Sequence, residues 1–375
     1  MKRALLAAMA ASVSITSAGV SDAVVKWSDP SHRYDSVGNY PSAAQGVNVW
    51  ADAHQGDGDA LWYHVSTQSN GYNYDHGYFP TIATDTWGNY VEIHQASSVA
   101  SSFSYKFGYD DGSGAQYMLG NAAQNDWGMS PFIAVHGHPC DQQQREYAFG
   151  DIVQVHQGNT GVSPLWMNVA QATNIYCNNN NLVGSAKWGG IQWLGAKQYN
   201  QTGFYPSVAV NALPGGRSAC YLEVHQDGPG LGTVRWSSGQ ITISGGLPWT
   251  AGTSWSFNET DSGTFTPAAQ HASVCIYDGN GGANYKDTGV IVMEFNDGSL
   301  WSFDGPIGGN TATGVQCLWT AQNAQPYDHG AYPRLSCQNG LLSGRSGVQG
   351  IEVHQGTNTT SPSQLWYRTF TDTSF

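Results

Sequence analysis

The sequence predicts an all-β fold, a six-bladed β-propeller of four-stranded antiparallel blades, on three observations. The first is composition: 47 glycines in 375 residues, 12% aromatic and only 11% charged residues suit many short strands joined by tight turns. The second is an internal repeat. A turn rich in Tyr, Asp and Gly is followed by Tyr-Pro, a small apolar strand, apolar-Glu-apolar-His-Gln and Leu-Trp-Tyr. The third is the step of that repeat. Pro41, Pro80, Pro131, Pro206, Pro267 and Pro333 anchor six units, 292 residues over five steps, and a mean step of about 58 holds four short strands, as one blade does.

The clearest copies run from Tyr74-Asp75-His76-Gly77 to Val91-Glu92-Ile93-His94-Gln95, and from Tyr327-Asp328-His329-Gly330 to Ile351-Glu352-Val353-His354-Gln355. A third leads from Tyr205-Pro206 to Leu222-Glu223-Val224-His225-Gln226. Ala51-Asp52-Ala53-His54-Gln55 and Val153-Gln154-Val155-His156-Gln157 are looser, and Val292-Met293-Glu294-Phe295 is the most decayed. Period-two alternation with β-branched and aromatic residues disfavours a helical repeat.

Within a unit, strand A is the small apolar run after Pro, and strand B carries Glu-x-His-Gln. Strand C holds Leu61-Trp62, Leu165-Trp166 or Leu365-Trp366, and strand D is Ile191-Gln192-Trp193 or Val315-Gln316-Cys317-Leu318-Trp319. The last unit stops after strand C. Val24-Val25-Lys26-Trp27 supplies the missing strand D, so the N-terminal strand joins the C-terminal blade and closes the ring. Closure removes the exposed edges that invite aggregation.

Lys2 and Arg3, an apolar run from Ala4 to Ile15 and small residues up to Ala23 make a signal peptide over 1–23, leaving 24–375 as a single propeller domain of a secreted protein. No other apolar run reaches membrane-spanning length, so membrane insertion is not expected. Net charge is -13, and cutting after Ala23 removes two cations and one anion to leave -14. With no basic stripe, a nucleic-acid partner is not expected, and neutral ligands suit the surface better.

Six cysteines in an exported chain favour disulfides. Cys140–Cys177 and Cys275–Cys317 are the expected pairs, each within one repeat. His136-Gly137-His138 before Cys140 lacks further metal ligands and reads as a loop, so neither a metal nor a cofactor is expected.

In an antiparallel blade the B–C turns and the D-to-A crossings share one face. That face gathers carboxylate, imidazole, amide and indole groups: Gln55, Trp62, Glu92, His94, Gln95, His156, Gln157, Trp166, Glu223, His225, Gln226, Glu352, His354, Gln355 and Trp366. Polar groups serve sugar hydroxyls and an aromatic face serves the C–H side of the ring, so these are the sugar-binding candidates. Glu and His two apart on a strand point to one side, and the same residues read equally as a buried hydrogen-bond network between blades.

The combination of Tyr-Pro-small-apolar, Val-Glu-Val-His-Gln and Leu-Trp-Tyr resembles the repeats of the PLL-type bacterial β-propeller lectins. That resemblance spans essentially the whole mature chain. It implies a secreted lectin binding fucose and related sugars between blades, although the family norm is seven units. Partners would be glycans on a cell surface or an extracellular polymer, with oligomeric state left open.

A polysaccharide-acting glycoside hydrolase or lyase is the alternative, since Glu92, Glu223, Glu294 and Glu352 are candidates to meet across blades. A serine-hydrolase elbow is absent, and Asn296-Asp297-Gly298-Ser299-Leu300-Trp301 only partly echoes a sialidase box. Repetition favours multivalent binding, so no catalytic residue is assigned. A matrix propeller without a small ligand is the third reading.

Overall fold

Short β-prone segments separated by Gly, Asp and Pro turns form antiparallel meanders wherever neighbouring segments each have one apolar face. The computed structural model follows this rule along the chain. It describes residues 25–28, 32–45, 50–65, 71–85, 88–110, 116–137, 150–173, 176–177, 186–213, 218–244, 253–277, 287–308, 310–311, 314–337, 349–356 and 363–372. The expected signal peptide, Cys140 and His138 lie outside them.

Among the described residues all regular secondary structure is strand, and the pairing divides into six antiparallel four-stranded sets. After β1 (Val25–Trp27), the first set comprises the second half of β2 (His32–Gln45), β3 (Trp50–Gln55), β4 (Ala60–Val65) and β5 (Tyr72–His76). The second is β6 (Tyr78–Thr84), β7 (Asn89–Gln95), β8 (Ser101–Asp110) and the first half of β9 (Gln116–Gly137). The third takes the rest of β9, β10 (Gly150–Gln157), β11 (Ser163–Thr173) and, beyond the paired β12 (Tyr176–Cys177) and β13 (Ala186–Lys187) and the short β14 (Gly190–Trp193), the start of β15 (Lys197–Ala212).

The fourth set is the rest of β15, β16 (Ser218–Gln226), β17 (Gly232–Ser244) and the start of β18 (Ser254–Tyr277). The fifth is the rest of β18, β19 (Asp287–Phe295), β20 (Ser299–Ile307) and, past β21 (Asn310–Thr311) and β22 (Gly314–Val315), β23 (Asn323–His329). The sixth is β24 (Ala331–Cys337), β25 (Gly350–Gln355) and β26 (Ser363–Asp372), completed by the first half of β2. Val25–Trp27 pairs with the far end of β26, beyond the first half of β2, which is the fourth strand of that set.

The first strand of each set touches the first strand of the next, and β24 returns to β2. Small hydroxyls tie these inner strands together. Ser42 Oγ accepts the Ile82 N–H, Thr81 Oγ1 the Ile133 N–H, Ser207 Oγ the Val274 N–H, Ser273 Oγ the Leu335 N–H and Ser336 Oγ the Gln45 N–H, at 3.0–3.4 Å. Large side chains fill the space further out. Leu61, Leu165, Leu300 and Leu365, the leucines of the Leu-Trp phrase, are at most 1% exposed. Each such burial contributes about 1.5–3 kcal/mol.

Four details differ from expectation. The segments read as strand D are not the fourth strands: Ile191–Trp193 is a short strand on the end of β11, and Val315 belongs to the β21–β22 pair. The fourth strands of the first, fifth and sixth sets contain the Tyr-Asp phrase and that of the second the matching Asn125-Asp126, and these turn-forming residues sit in a strand because a β-bulge falls at Tyr34, Tyr74, Asn125 and Tyr327. The fifth anchor is Ala272 and not Pro267, since Ser273 pairs with Val292 as Ser207 pairs with Val224. That register gives Glu294 the place of Gln226, leaving Ile291 and Met293 where other sets have Glu and His.

The Cys275–Cys317 pairing is also corrected. Cys220 bonds to Cys317 and Cys275 to Cys337, so both bridges join neighbouring sets and neither closes within one. Cys275 and Cys337 are on adjoining inner strands, 5.5 Å apart at Cα, where a bridge is geometrically simple.

Candidate functional site

The repeated polar phrase converges on the spaces between consecutive sets. On strand B, alternation turns the acid and the histidine to the same side. The His Nδ1–H donates to the acid two residues earlier: His54 to Asp52 at 3.1 Å, His94 to Glu92 at 3.1 Å, His225 to Glu223 at 3.0 Å and His354 to Glu352 at 2.9 Å. In the third set the acid is replaced by Gln154, whose amide donates to His156 Nδ1 at 2.8 Å.

Burial pushes all these imidazoles down. In His54, His94, His225 and His354 the adjoining carboxylate outweighs burial and holds the group above the ordinary histidine value. His156 has no such acid partner, and burial pushes it down to about 3.

The fourth strand of the preceding set forms the opposite wall. Its bulge re-aims a tyrosine at the buried acid, so Tyr34 faces Asp52, Tyr74 faces Glu92 and Tyr327 faces Glu352. Burial and then the neighbouring carboxylate keep these phenols protonated. The next residue is an aspartate that reaches the histidine from outside. Asp35 lies 3.6 Å from His54 Nε2, and Asp328 lies 3.9 Å from His354 Nε2. Asp126 holds the third set's place, 4.0 Å from His156.

Strand C completes each cleft. Lys106 pairs with Asp75 at 2.9 Å, Arg368 with Asp328 at 2.7 Å, and the Asn168 amide donates to Asp126 at 3.2 Å. Two residues before the polar group, Trp62, Trp166 and Trp366 stand directly opposite His54, His156 and His354. Each indole packs over the glycine after His-Gln. A Cβ on Gly56, Gly158 or Gly356 would come within 2.7–3.0 Å of the indole nitrogen, so this close approach requires glycine.

Depth separates the candidate residues. Glu92, Glu223 and Glu352, His94, His156, His225 and His354, and Gln55, Gln95, Gln157, Gln226 and Gln355 are all at most 7% exposed. The glutamines brace the B–C turns: the amides of Gln95, Gln157 and Gln226 each donate to carbonyls two and four residues ahead. Gln95 and Gln226 also accept the first inner N–H of the next set, from Ser130 and His271. Solvent reaches the aspartates, 14–27% exposed at the side chain, and the tryptophans, of which Trp62 is 36% exposed. In the clefts of Asp126 and Asp328 an open carboxylate, a cation or amide and an indole therefore stand over a buried, fixed base, while the Asp75 cleft has Ser104 in the indole's place.

Two clefts differ. Between the third and fourth sets Gln201 replaces the aspartate, and Arg235 pairs with Asp227 on its own set at 2.5 Å. Between the fourth and fifth sets the wall is apolar, with Phe265 and Phe303 rings 4.8 Å apart beside Met293 and Ile291. Glu294 serves the Gln role, accepting from Gln270, His271 Nδ1 and the Tyr332 N–H. Glu294 thus reaches across to the sixth set, while Glu92, Glu223 and Glu352 each bind the histidine two residues on. Among the described residues no group of His, Cys, Asp and Glu has the arrangement of a metal site.

The aspartates and Lys106, Asn168 and Arg368 were not among the sequence candidates. The aspartates were visible as the repeated Tyr-Asp-x-Gly phrase, which turn chemistry explains equally well. The strand C cation has no fixed residue type and leaves no repeat signal.

No family model matches the chain, and no curated protein matches it. Among solved structures, a mutant of the Aleuria aurantia lectin in complex with α-methyl-L-fucoside is similar at 10% identity and a TM-score of 0.49, over 88% of this chain and 93% of that one. AofleA from Arthrobotrys oligospora gives 10% and 0.48 over 96% and 89%. A subtype N10 neuraminidase-like protein of little yellow-shouldered bat gives 9% and 0.45 over 93% and 100%. Likeness at this level carries over neither fold nor ligand.

Proposed function

We propose that this chain is a secreted lectin, a six-bladed β-propeller closed by its N-terminal strand, that binds neutral, fucose-like glycans of a cell surface or extracellular polymer in clefts between blades. The observation that carries the reading is the recurrence of one cleft. Asp126 with Asn168 and Trp166 and Asp328 with Arg368 and Trp366 repeat a polar pair beside an indole on the same buried base, and Asp35 with Trp62 repeats the carboxylate and the indole. Such a set matches a sugar's vicinal hydroxyls and its C–H face. The cyclic contacts of the inner strands support the ring, and the two disulfides support export.

In this reading the Glu, His and Gln residues hold the aspartate in place, and the indoles and the open polar groups touch the sugar. In each of the four clefts that carry the aspartate one carboxylate reaches solvent, an arrangement suited to hydrogen bonding, whereas a glycosidase needs two facing its substrate. Weak equivalent sites on one rigid body give avidity. A glycan array with fucosylated and O-methylated sugars, followed by titration calorimetry, tests it. The expected result is sugar-competable binding with more than one site per chain, of which one is lost in Trp366→Ala or Asp328→Asn, two residues of the same cleft. A blank array sinks the lectin reading. A single site with polysaccharide breakdown would establish the hydrolase instead.

A further inference from the structure

Each inner strand opens with a residue in the left-handed region: Tyr40, Phe79, Ser130, Tyr205, His271 and Tyr332, all with φ between 48° and 53°. Bulky side chains carry backbone strain there. Five of them form a chain of ring contacts. Phe79 meets Tyr40 at 4.6 Å, Tyr40 meets Tyr332 at 5.0 Å, Tyr332 stacks on His271 at 3.8 Å, and His271 meets Tyr205 at 5.6 Å. The sixth position is Ser130, so the collar of rings has a gap.

Just beneath the collar, four sets carry small hydroxyls, Ser42, Thr81, Ser207 and Ser273. The sixth set instead places Arg334 there, and the third set places Phe132. The guanidinium sits over the Phe132 ring, 5.4 Å from its centroid, so it spans sets three apart in the order. Its Nη1 is shielded from solvent and has no hydrogen-bond partner among the described residues.

The groups that act on Arg334 are the Tyr332 and Tyr205 phenols, which burial keeps protonated and neutral, and no carboxylate is among them. Glu294 is already taken by His271, Gln270 and the Tyr332 N–H. Burial pushes the arginine down to about 10, which leaves it charged at neutral pH. The Ser130 hydroxyl, two residues before Phe132, is a second buried polar group without a partner among the described residues.

A half-buried cation with a shielded Nη1 and no anion is costly, and a cation–π contact offsets only part of that cost. In a chain of net charge -13, a lone guanidinium under a collar of phenols is set to receive an anion. A guanidinium fork matches a carboxylate with two parallel hydrogen bonds, phenols add donors, and ring faces pack against a sugar's C–H groups. We infer that Arg334 and its aromatic collar form a site, separate from the inter-set clefts, for a carboxylate-bearing sugar of the uronic-acid type. The propeller reading is used only in expecting one such site per molecule.

Calorimetry on the full chain would use sodium glucuronate, its neutral counterpart glucose, and acetate as the bare carboxylate. The expected result is 1:1 glucuronate binding that weakens with added salt and falls about tenfold to a hundredfold in Arg334→Gln, the loss of one charge-assisted contact. Glucose should not occupy this site. Because Arg334→Gln removes an unpaired charge along with its contact to Phe132, and the Nη1 has no hydrogen bond to lose among the described residues, the variant should melt no lower than the parent. Tyr205→Phe, a milder change, should weaken glucuronate several-fold. Parent-like glucuronate affinity in Arg334→Gln, or no glucuronate binding by the parent, overturns the inference. Acetate binding as tightly as glucuronate overturns the sugar assignment. Neutral-glycan binding on the array should survive Arg334→Gln, so this inference and the lectin reading fail separately.

Discussion

His354 donates to Glu352 at 2.9 Å, and both are at most 1% exposed, so neither can reach a ligand without local opening. Removing the imidazole strands a carboxylate that burial already pushes toward its protonated form. His354→Ala is expected to lose about 3–5 kcal/mol, the scale for breaking a buried pair, in urea unfolding. Unchanged stability with lost glycan binding would instead make the histidine a sugar contact. The pH response separates the two kinds of histidine. His54, His94, His225 and His354 are raised in the folded state, so their stabilisation is complete below their unfolded value and is lost as pH rises through the folded values. His156 has the opposite sign. Folded at about 3 against roughly 6.5 unfolded, it binds its proton only in the unfolded chain between those values, costing about 2 kcal/mol by pH 5. His156→Gln should therefore lose less stability than the parent between pH 7.5 and 5, and identical acid arms would contradict this.

At the scale of elements, the crossing into each inner strand is built around a glycine facing the histidine. A Cβ on Gly77, Gly203 or Gly330 would lie 2.4–2.5 Å from the imidazole Cδ2 of His94, His225 or His354. The fifth set changes both partners together, with Ala269 in the glycine's place and Met293 in the histidine's. Gly203→Ala should cost about 1–3 kcal/mol through overpacking. Adding His225→Met should recover part of it in a double-mutant cycle, and purely additive losses would disprove the pairing. This coupling also marks what the sequence could reveal. Strands A, B and C were legible because Val-Glu-Val-His-Gln and Leu-Trp-Tyr alternate with period two. The fourth strand was not, since Tyr-Asp-x-Gly has turn chemistry and only the bulge makes it a strand. The register of the fifth set was hidden too, because Pro267 and Glu294 mimic an anchor and a motif while lying outside both positions. Within the clefts the buried base was readable from its repetition, but depth was not: a motif on a strand does not say how close the next set stands.

At the scale of the molecule, the fifth set is the exception that needs separate fastening. Four of the other interfaces lock an acid–histidine pair under a neighbouring set's tyrosine or aspartate or, between the third and fourth, beside the Tyr199–Ser237 hydroxyl pair; the third set's interface uses Gln154 in the acid's place. The fifth set meets the fourth through Phe265, Phe303 and Met293, contacts without direction. Both disulfides among the described residues attach to this set, Cys220–Cys317 on the side of the fourth and Cys275–Cys337 on the side of the sixth. Separations of 97 and 62 residues make each worth roughly 4–5 kcal/mol in the chain-entropy account. Between the fourth and fifth sets a covalent staple thus stands where the other interfaces have a directional polar lock, while the fifth and sixth sets are joined by both. Cys220→Ala with Cys317→Ala should lower hydrogen-exchange protection first in β18, β19 and β20, while β7 and β25, held by their acid–histidine pairs, keep theirs. Uniform loss of protection across all six sets would show that the staple stabilises the whole chain alike and that the fifth set has no special dependence on it.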